Sequence, residues 1–505
     1  MGTSKLQVEI RRDQFRGSSP PIHHVMFSPD PGWLSPLTLR PPPTIANAAE
    51  NSTKTVGFRN PWPSWHKPTL GQVWNNLEWG RPEPDPCVEL AASHLEHIPA
   101  TQQGSSPPLA LNRRPTFASV NDPPDSLAAQ AVRLLKVEDP DFSPLVNTDT
   151  KAKVTWLGHA GVLVQLPQMG EQIRPFSCLF DPIFSMRCSP SQVIGPVRSY
   201  PPPCGVESLP AIDAVCISHN HYDHLDLDTV TKIWKIHHET VHFFVPLGNR
   251  EWFITCGIPK DRVVELDWWD SAWLYHVGSA GGCRIYCTPA QHSSVRTGSG
   301  VNAALWSSWY LEHQQPDAAP YRVFFGGDTG FQFHDSPNWP PRPNQREGVD
   351  ELEDNKFPAC PAFEQIRDRL GPPHLLLLPV SVGATYSYIR SLVYLPDWIS
   401  PIPRHSPGLS AATHMPAWDA VRVLKLMAGK KSGVCAAPSE QDSSVAVAIH
   451  WGTFVQEPVE VLKTLGQLEW ACQKQGAKFA RSLPANMEDG ELCFLALNHG
   501  QTVQI

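Results

Sequence analysis

Nothing in this 505-residue sequence approaches the roughly 20 consecutive apolar residues that a helix needs to span a bilayer. The longest apolar runs, such as Leu375–Val380, are strand-sized. The N-terminus has no apolar signal core, and Leu6 stands where a myristoylation signal wants Ser or Thr. Only Arg11, Arg12 and Arg16, with few nearby acids, hint at a mitochondrial presequence. A basic stripe is also missing. The net charge is −8 with both signs mixed, which makes nucleic acid a poor expectation as a partner. The 12 cysteines are scattered with no CxxC pair, in a chain too large to need disulfide staples, so a reducing, intracellular compartment is expected.

Proline is abundant. The 53 prolines are about twice the usual share and crowd into residues 18–68, 81–125, 337–361 and 396–407, which read as loops or arms. Residues 1–55 hold no sustained period of 2 or 3.6 and read as a disordered arm. Residues 56–150 read as an extension packing on the catalytic domain, with short helices at Leu70–Leu77 and Ser126–Leu135 around a Pro/Ser/Gln-rich loop at 101–125.

From Lys153 the texture changes to short β-rich runs: Val154–Leu157, Val162–Gln165, Cys178–Phe180, Ala214–Ile217, His242–Val245, Val263–Leu266, Arg284–Cys287, Ala304–Tyr310, Val323–Phe325, Leu375–Leu378 and Val445–Ile449. Helical stretches at Leu225–His238, Ala362–Leu370, Ala417–Met427 and Val459–Lys474 fall between or after them. This alternation predicts a layered α/β domain over 151–505.

The run Asp213–Ile217 delivers His219, His221, Asp223 and His224 within six residues. One histidine, or a pair, is more often structural than a ligand. Four ligand-type side chains at this spacing suit two ions: His219 and His221 point the same way in an extended loop, while Asp223 and His224 face a second ion as the chain turns into a helix. Imidazole and carboxylate suit Zn²⁺ or a similar ion. Three further strands run into His292, Asp328 (in Gly326-Gly327-Asp328-Thr329-Gly330) and His450. The assignment that uses every ligand puts His219, His221 and His292 on one ion, Asp223, His224 and His450 on the other, and Asp328 between them. Two ions so bridged, about 3.5–4 Å apart, acidify a shared water and polarise a phosphoryl or carbonyl oxygen. His159, left without a metal position, is expected to hydrogen-bond behind the ligands. Trp268, Trp269, Trp306 and Trp309, indoles at strand spacing, read more often as core or interface packing than as the lining of an acyl channel.

The order HxHxDH…H…D…H from His219 to His450 resembles the metallo-β-lactamase fold hydrolases, which implies an αββα sandwich. From Phe58 to about Asn498 the chain is similar, more narrowly, to the N-acylphosphatidylethanolamine-hydrolysing phospholipase D family. That likeness rests on Asn60-Pro61-Trp62-Pro63-Ser64-Trp65, Val154–Ala160, Asp181-Pro182-Ile183-Phe184-Ser185, Ser189–Gln192, Glu265–Trp269, Pro289–His292, Gly327–Gly330, Cys360–Glu364 and Ala448–Phe454. It implies a zinc-dependent phosphodiesterase that binds two ions and cleaves N-acylphosphatidylethanolamine into N-acylethanolamine and phosphatidate, with peripheral membrane contact, a homodimer, and a mitochondrial or endomembrane location. Asp223 and His414 are then the catalytic candidates, His414 matching a working histidine outside the metal set; the other reading of His414 is a residue near the start of a helix. Other phosphodiesters, lactones or a non-catalytic lipid-binding relative are the alternatives. Three insertions depart from the family's spacing: Phe333–Phe357, Ile389 to about Leu409, and Val434–Ser444. The aromatic stretch Tyr388–Ile399 reads as a membrane-dipping loop, a lid, or a retained intron.

Overall fold

The structure is a computed structural model, which describes residues 6–13, 21–26, 55–79, 85–97, 126–143, 151–167, 174–277, 281–296, 300–314, 319–343, 356–381, 401–429, 444–455, 457–488 and 490–505. The loop at 101–125, the stretch Tyr388–Ile399 and most of the third insertion lie outside these residues.

Two sheets face each other. The first has seven strands in the order Val263–Leu266, His242–Pro246, Ala214–Cys216, Ser177–Phe180, Gly161–Gln165, Lys153–Gly158, Thr502–Gln504. The second has nine, in the order Leu6–Arg11, Ser271–His276, Gly282–Thr288, Ser308–Gln314, Tyr321–Phe325, Leu375–Pro379, Ser444–Ile449, Leu492–Leu495, Lys478–Ala480.

The central strands are apolar throughout because both of their faces are covered. Along Ala214–Ile217 and His242–Val245 the side chains alternate. Ala214, Cys216 and Phe244 enter the core between the sheets, whereas Val215, Ile217, Phe243 and Val245 pack outward on Val230 and Ile233 of helix Leu227–His237. Helices Ala362–Leu370, Ala417–Ala428 and Pro458–Gln475 contribute Phe363, Ile366, Val421, Leu424, Leu462 and Leu465 to the main core. The outcome is the αββα sandwich expected from the sequence.

The extension packs closely on this frame. Helix Pro86–Ser93 crosses Pro458–Gln475 at Gly466, where an added Cβ would lie 1.7 Å from the Cys87 carbonyl oxygen.

Two expectations need correction. Within the arm read as disordered, Leu6–Arg11 is an antiparallel edge strand on Ser271–His276, and His24–Met26 pairs with Thr55–Phe58. Leu6, Val8 and Ile10 do alternate with polar residues, but what holds so short a segment is the open sheet edge that receives it, which the sequence does not show. The strand expected at Ala304–Tyr310 starts four residues later, at Ser308–Gln314. Ala304–Ser307 instead crosses between sheets, with Leu305 N–H on the Leu247 carbonyl and Ser307 N–H on that of Ser218. Of the two readings of the tryptophans, Trp268, Trp306 and Trp309 take the packing one, with at most 3 % of their surface exposed.

Candidate metal centre

Strands that lie parallel within a sheet end at the same edge, and here their C-terminal ends carry the polar residues. Ala214–Cys216 leads into the 219–224 loop, Gly282–Thr288 into His292, Tyr321–Phe325 into Asp328 and Ser444–Ile449 into His450. The 219–224 loop closes on itself, with Leu225 N–H on the His221 carbonyl at 2.8 Å. Asp226 then caps the following helix by accepting from Thr229 N–H. Arg296 ties the loop from outside through the Asn220 and Leu225 carbonyls, at 3.1 and 2.8 Å.

The structure brings all seven expected ligands to one place. The ligand atoms of His219, His221, His292 and Asp328 lie within 4.8 Å of one another, and those of Asp223, His224 and His450, with His159, form a second such group. Asp328 faces both. Its Oδ2 is 3.8 Å from Nε2 of both His219 and His292 and 3.1 Å from His224 Nε2, while its Oδ1 is 3.0 Å from His450 Nε2. His224 Nε2, His450 Nε2 and Asp328 Oδ1 are buried and close together, yet not aligned as hydrogen bonds. Lone pairs that converge without pairing are what a shared cation requires, and a nitrogen and oxygen donor set fits zinc or a similar divalent ion.

The backbone is bent to make this arrangement. His159, Asp181 and His450, each following a strand, have φ of 53°, 34° and 61°. Non-glycine residues rarely occupy this region, and they do so mostly where the surroundings enforce it. Gly330 is needed for another reason: a Cβ there would lie 1.9 Å from the Ala412 carbonyl carbon, so the turn bearing Asp328 and the loop bearing His414 touch backbone to backbone.

Protonation differs between the two groups. Burial drives His219 and His292 well below the usual imidazole range and His221 down to about 4, which leaves neutral rings ready to ligate. Burial acts in the same direction on His450 and His224 but is outweighed by the carboxylates. Asp328, with Asp223, lifts His450 to about 9, and Asp328, Asp223 and Asp181 hold His224 well above its ordinary value. Burial raises Asp223 and Asp328, but the surrounding imidazoles overcome it and hold both carboxyls well below their usual range.

His414 lies against the group and also near a helix start, since helix Ala417–Ala428 begins shortly after it. Its Nε2 is 3.1 Å from Asp328 Oδ2, its Nδ1 3.1 Å from Thr413 Oγ1, and its side chain is 22 % exposed. His159 bonds Asp223 as expected, with Nε2 3.1 Å from Oδ2, but its own ligand atom also falls within the second group.

Sequence reading missed Asp181. Its Oδ2 accepts from His224 Nδ1 at 2.7 Å and its Oδ1 from Ser218 N–H at 2.7 Å, fixing which nitrogen of His224 faces the site. The signal was present: like the ligands, Asp181 follows directly on an apolar run, Cys178–Phe180.

Residues 177–339 match the family described as Beta-lactamase superfamily domain. The chain is 32% identical over 340 residues to an uncharacterised protein of Mycobacterium tuberculosis, covering 67% of this chain and 69% of that one. It is 31% identical over 322 residues to N-acyl-phosphatidylethanolamine-hydrolyzing phospholipase D 1 of Caenorhabditis elegans, covering 62% and 68%. The mitochondrial N-acyl-phosphatidylethanolamine-hydrolyzing phospholipase D of Saccharomyces cerevisiae is 27% identical, with 58% and 48% covered. Likeness to solved structures is weak: the metallo-β-lactamase fold protein YhfI of Bacillus subtilis has a TM-score of 0.33 at 14% identity, covering 70% of this chain and 100% of that one.

Proposed function

Because this chain belongs to the N-acyl-phosphatidylethanolamine-hydrolysing phospholipase D family of the β-lactamase superfamily, we propose that it hydrolyses N-acylphosphatidylethanolamine to N-acylethanolamine and phosphatidate with two zinc ions. That it is a metal-dependent hydrolase follows from the family. The finer reading is carried by one observation, the two groups of ligand atoms that meet at the Asp328 carboxylate.

His219, His221 and His292 would hold one ion, Asp223, His224 and His450 the other, and Asp328 would contact both. Bound there, the ions would acidify water and draw charge from a phosphoryl oxygen. The chain's own residues do the rest. Asp181 and the Thr413 carbonyl, which accepts from His292 Nδ1 at 2.9 Å, keep each imidazole turned inward. Water supplies the oxygen that adds to phosphorus. The bond from phosphorus to the ethanolamine oxygen breaks, and that oxygen takes up a proton. His414, beside Asp328 and partly open to solvent, stands where a side chain can hold or pass this proton.

A lipid substrate requires access to a membrane surface. Among the described residues no helix is long and apolar enough to cross a membrane, so contact would be peripheral, with Tyr388–Ile399 as the inserted loop and a homodimer as the working form. The relative from yeast is mitochondrial by name, which supports a mitochondrial location here. Deletion of Ile389–Ile399 should weaken liposome binding; unchanged binding would remove that loop from the proposal.

Mass spectrometry of products from a mixed phospholipid substrate, with and without a chelator, tests the function. N-acylethanolamine and phosphatidate should appear together and vanish on chelation. Release of free fatty acid or diacylglycerol instead, or cleavage of lactones or nucleotides alone, would replace it with another activity.

A further inference from the structure

Asn60–Trp65 has no part in the chemistry above, yet it is bonded to a ligand loop. Asn60 Nδ2 donates to the His292 carbonyl oxygen at 2.7 Å, and Asn60 Oδ1 accepts from the His292 N–H at 3.1 Å. One side chain therefore satisfies both backbone groups of a residue that lies beyond the end of its strand, where no ladder partner is available. Ser64 Oγ donates to Gln291 Oε1 at 2.5 Å, and Gln291 Nε2 donates onward to the Ala412 carbonyl at 2.9 Å.

The segment is itself well held. Pro61 and Pro63 restrict the backbone and lack N–H groups. Trp62 stacks on Trp268 at 5.5 Å with 9° between the rings, and Phe58 N–H bonds the Asn302 carbonyl at 2.8 Å. Trp268 Nε1 then donates to the Trp306 carbonyl, and Trp306 Nε1 to that of Ala290, two residues before His292. Asn60 thus reaches His292 from a rigid support across 232 residues of chain.

We infer that Asn60 is a positioning residue for metal binding. It fixes the His292 backbone, while the Thr413 carbonyl orients the ring, so that Nε2 is aimed at the partners it shares with His219 and His221. The inference rests on reading those three histidines as a ligand set. Partners that orient a ligand typically change metal affinity about 10–100-fold when removed.

The test uses the full chain with cobalt(II) as the probe, comparing Asn60→Ala, Asn60→Asp and Arg59→Ala. Arg59 belongs to the same segment, but its Nε bonds the Ile22 carbonyl, away from the ligand loop. Competition against a chelator should show Asn60→Ala binding one of two cobalt equivalents about 10–100-fold more weakly, with an altered visible absorption band. Asn60→Asp keeps the acceptor for His292 N–H but sets a carboxylate oxygen against the His292 carbonyl where the amide donated, so it should lose affinity as well. Arg59→Ala should bind cobalt like the unaltered chain. Folded Asn60 variants with unchanged affinity and spectrum would overturn the inference, as would an equal loss in Arg59→Ala. If Asn60→Ala does not fold, Asn60→Asp decides alone. An unaltered chain that takes up no cobalt would overturn the metal-centre reading and this inference with it.

Discussion

At the scale of single residues, the two ligand groups differ in what must leave before an ion can enter. His219, His221 and His292 are neutral near pH 7, so their group needs no deprotonation until the medium is acid, near pH 4 for His221. His450, raised to about 9, and His224, held well above its ordinary value, carry protons that an ion must displace. Affinity at the second group should therefore climb as pH rises from 6 to about 9, with proton release below that pH, while the first group changes little. Calorimetric zinc titrations at several pH values, in buffers of different ionisation enthalpy, would show this; two equivalents binding with the same pH dependence would refute it. Asp181→Asn should weaken the same group about 10–100-fold, because the carboxylate that orients His224 is lost. For His414→Gln we expect kcat to fall about 100-fold or more with two zinc equivalents retained; an unchanged kcat would remove it from proton transfer.

At the scale of elements, the loop crossing at Gly330 links Asp328 to His414. Gly330→Ala places a methyl group against backbone that cannot rotate away, which should cost about 1–3 kcal/mol and shift His414 from Asp328. Denaturant unfolding and turnover should both report it; a fully stable, fully active variant would show that the two loops separate easily. The same contrast between local and distant causes explains what the sequence revealed. Strands such as Val445–Ile449 and Leu375–Leu378 were legible because burial on both faces leaves an uninterrupted apolar run. Leu6–Arg11 carries the alternation of a half-exposed strand, but a short run inside a polar arm does not show that the free edge of Ser271–His276 receives it. Among site residues, the ligands were legible as polar residues ending apolar strands. Asp181 ends an apolar run as the ligands do, but its bond to His224 spans 43 positions and that of Asn60 to His292 spans 232, so the sequence does not show what either one holds.

At the scale of the whole molecule, the candidate centre joins the two sheets. His219, His221, Asp223 and His224 come from the seven-stranded sheet, and His292, Asp328 and His450 from the nine-stranded one. Ions bound between them would act as a clasp across the sandwich edge and would bind the folded chain far better than the unfolded one. Such binding stabilises by about 4 kcal/mol when free ligand is near a thousand times its dissociation constant. Without the ions, Asp328 keeps its charge in a buried place and Asp223 keeps its own beside it, balanced chiefly by protons on His224 and His450. Chelation should therefore lower the melting temperature by several degrees, and restored zinc should recover it. Asp328→Asn tests whether the clasp is the cause, since it removes a carboxylate that faces both ligand groups and should shrink the difference between zinc-loaded and chelated protein. A chelator-induced shift as large in Asp328→Asn as in the unaltered chain would place the stabilising ion elsewhere.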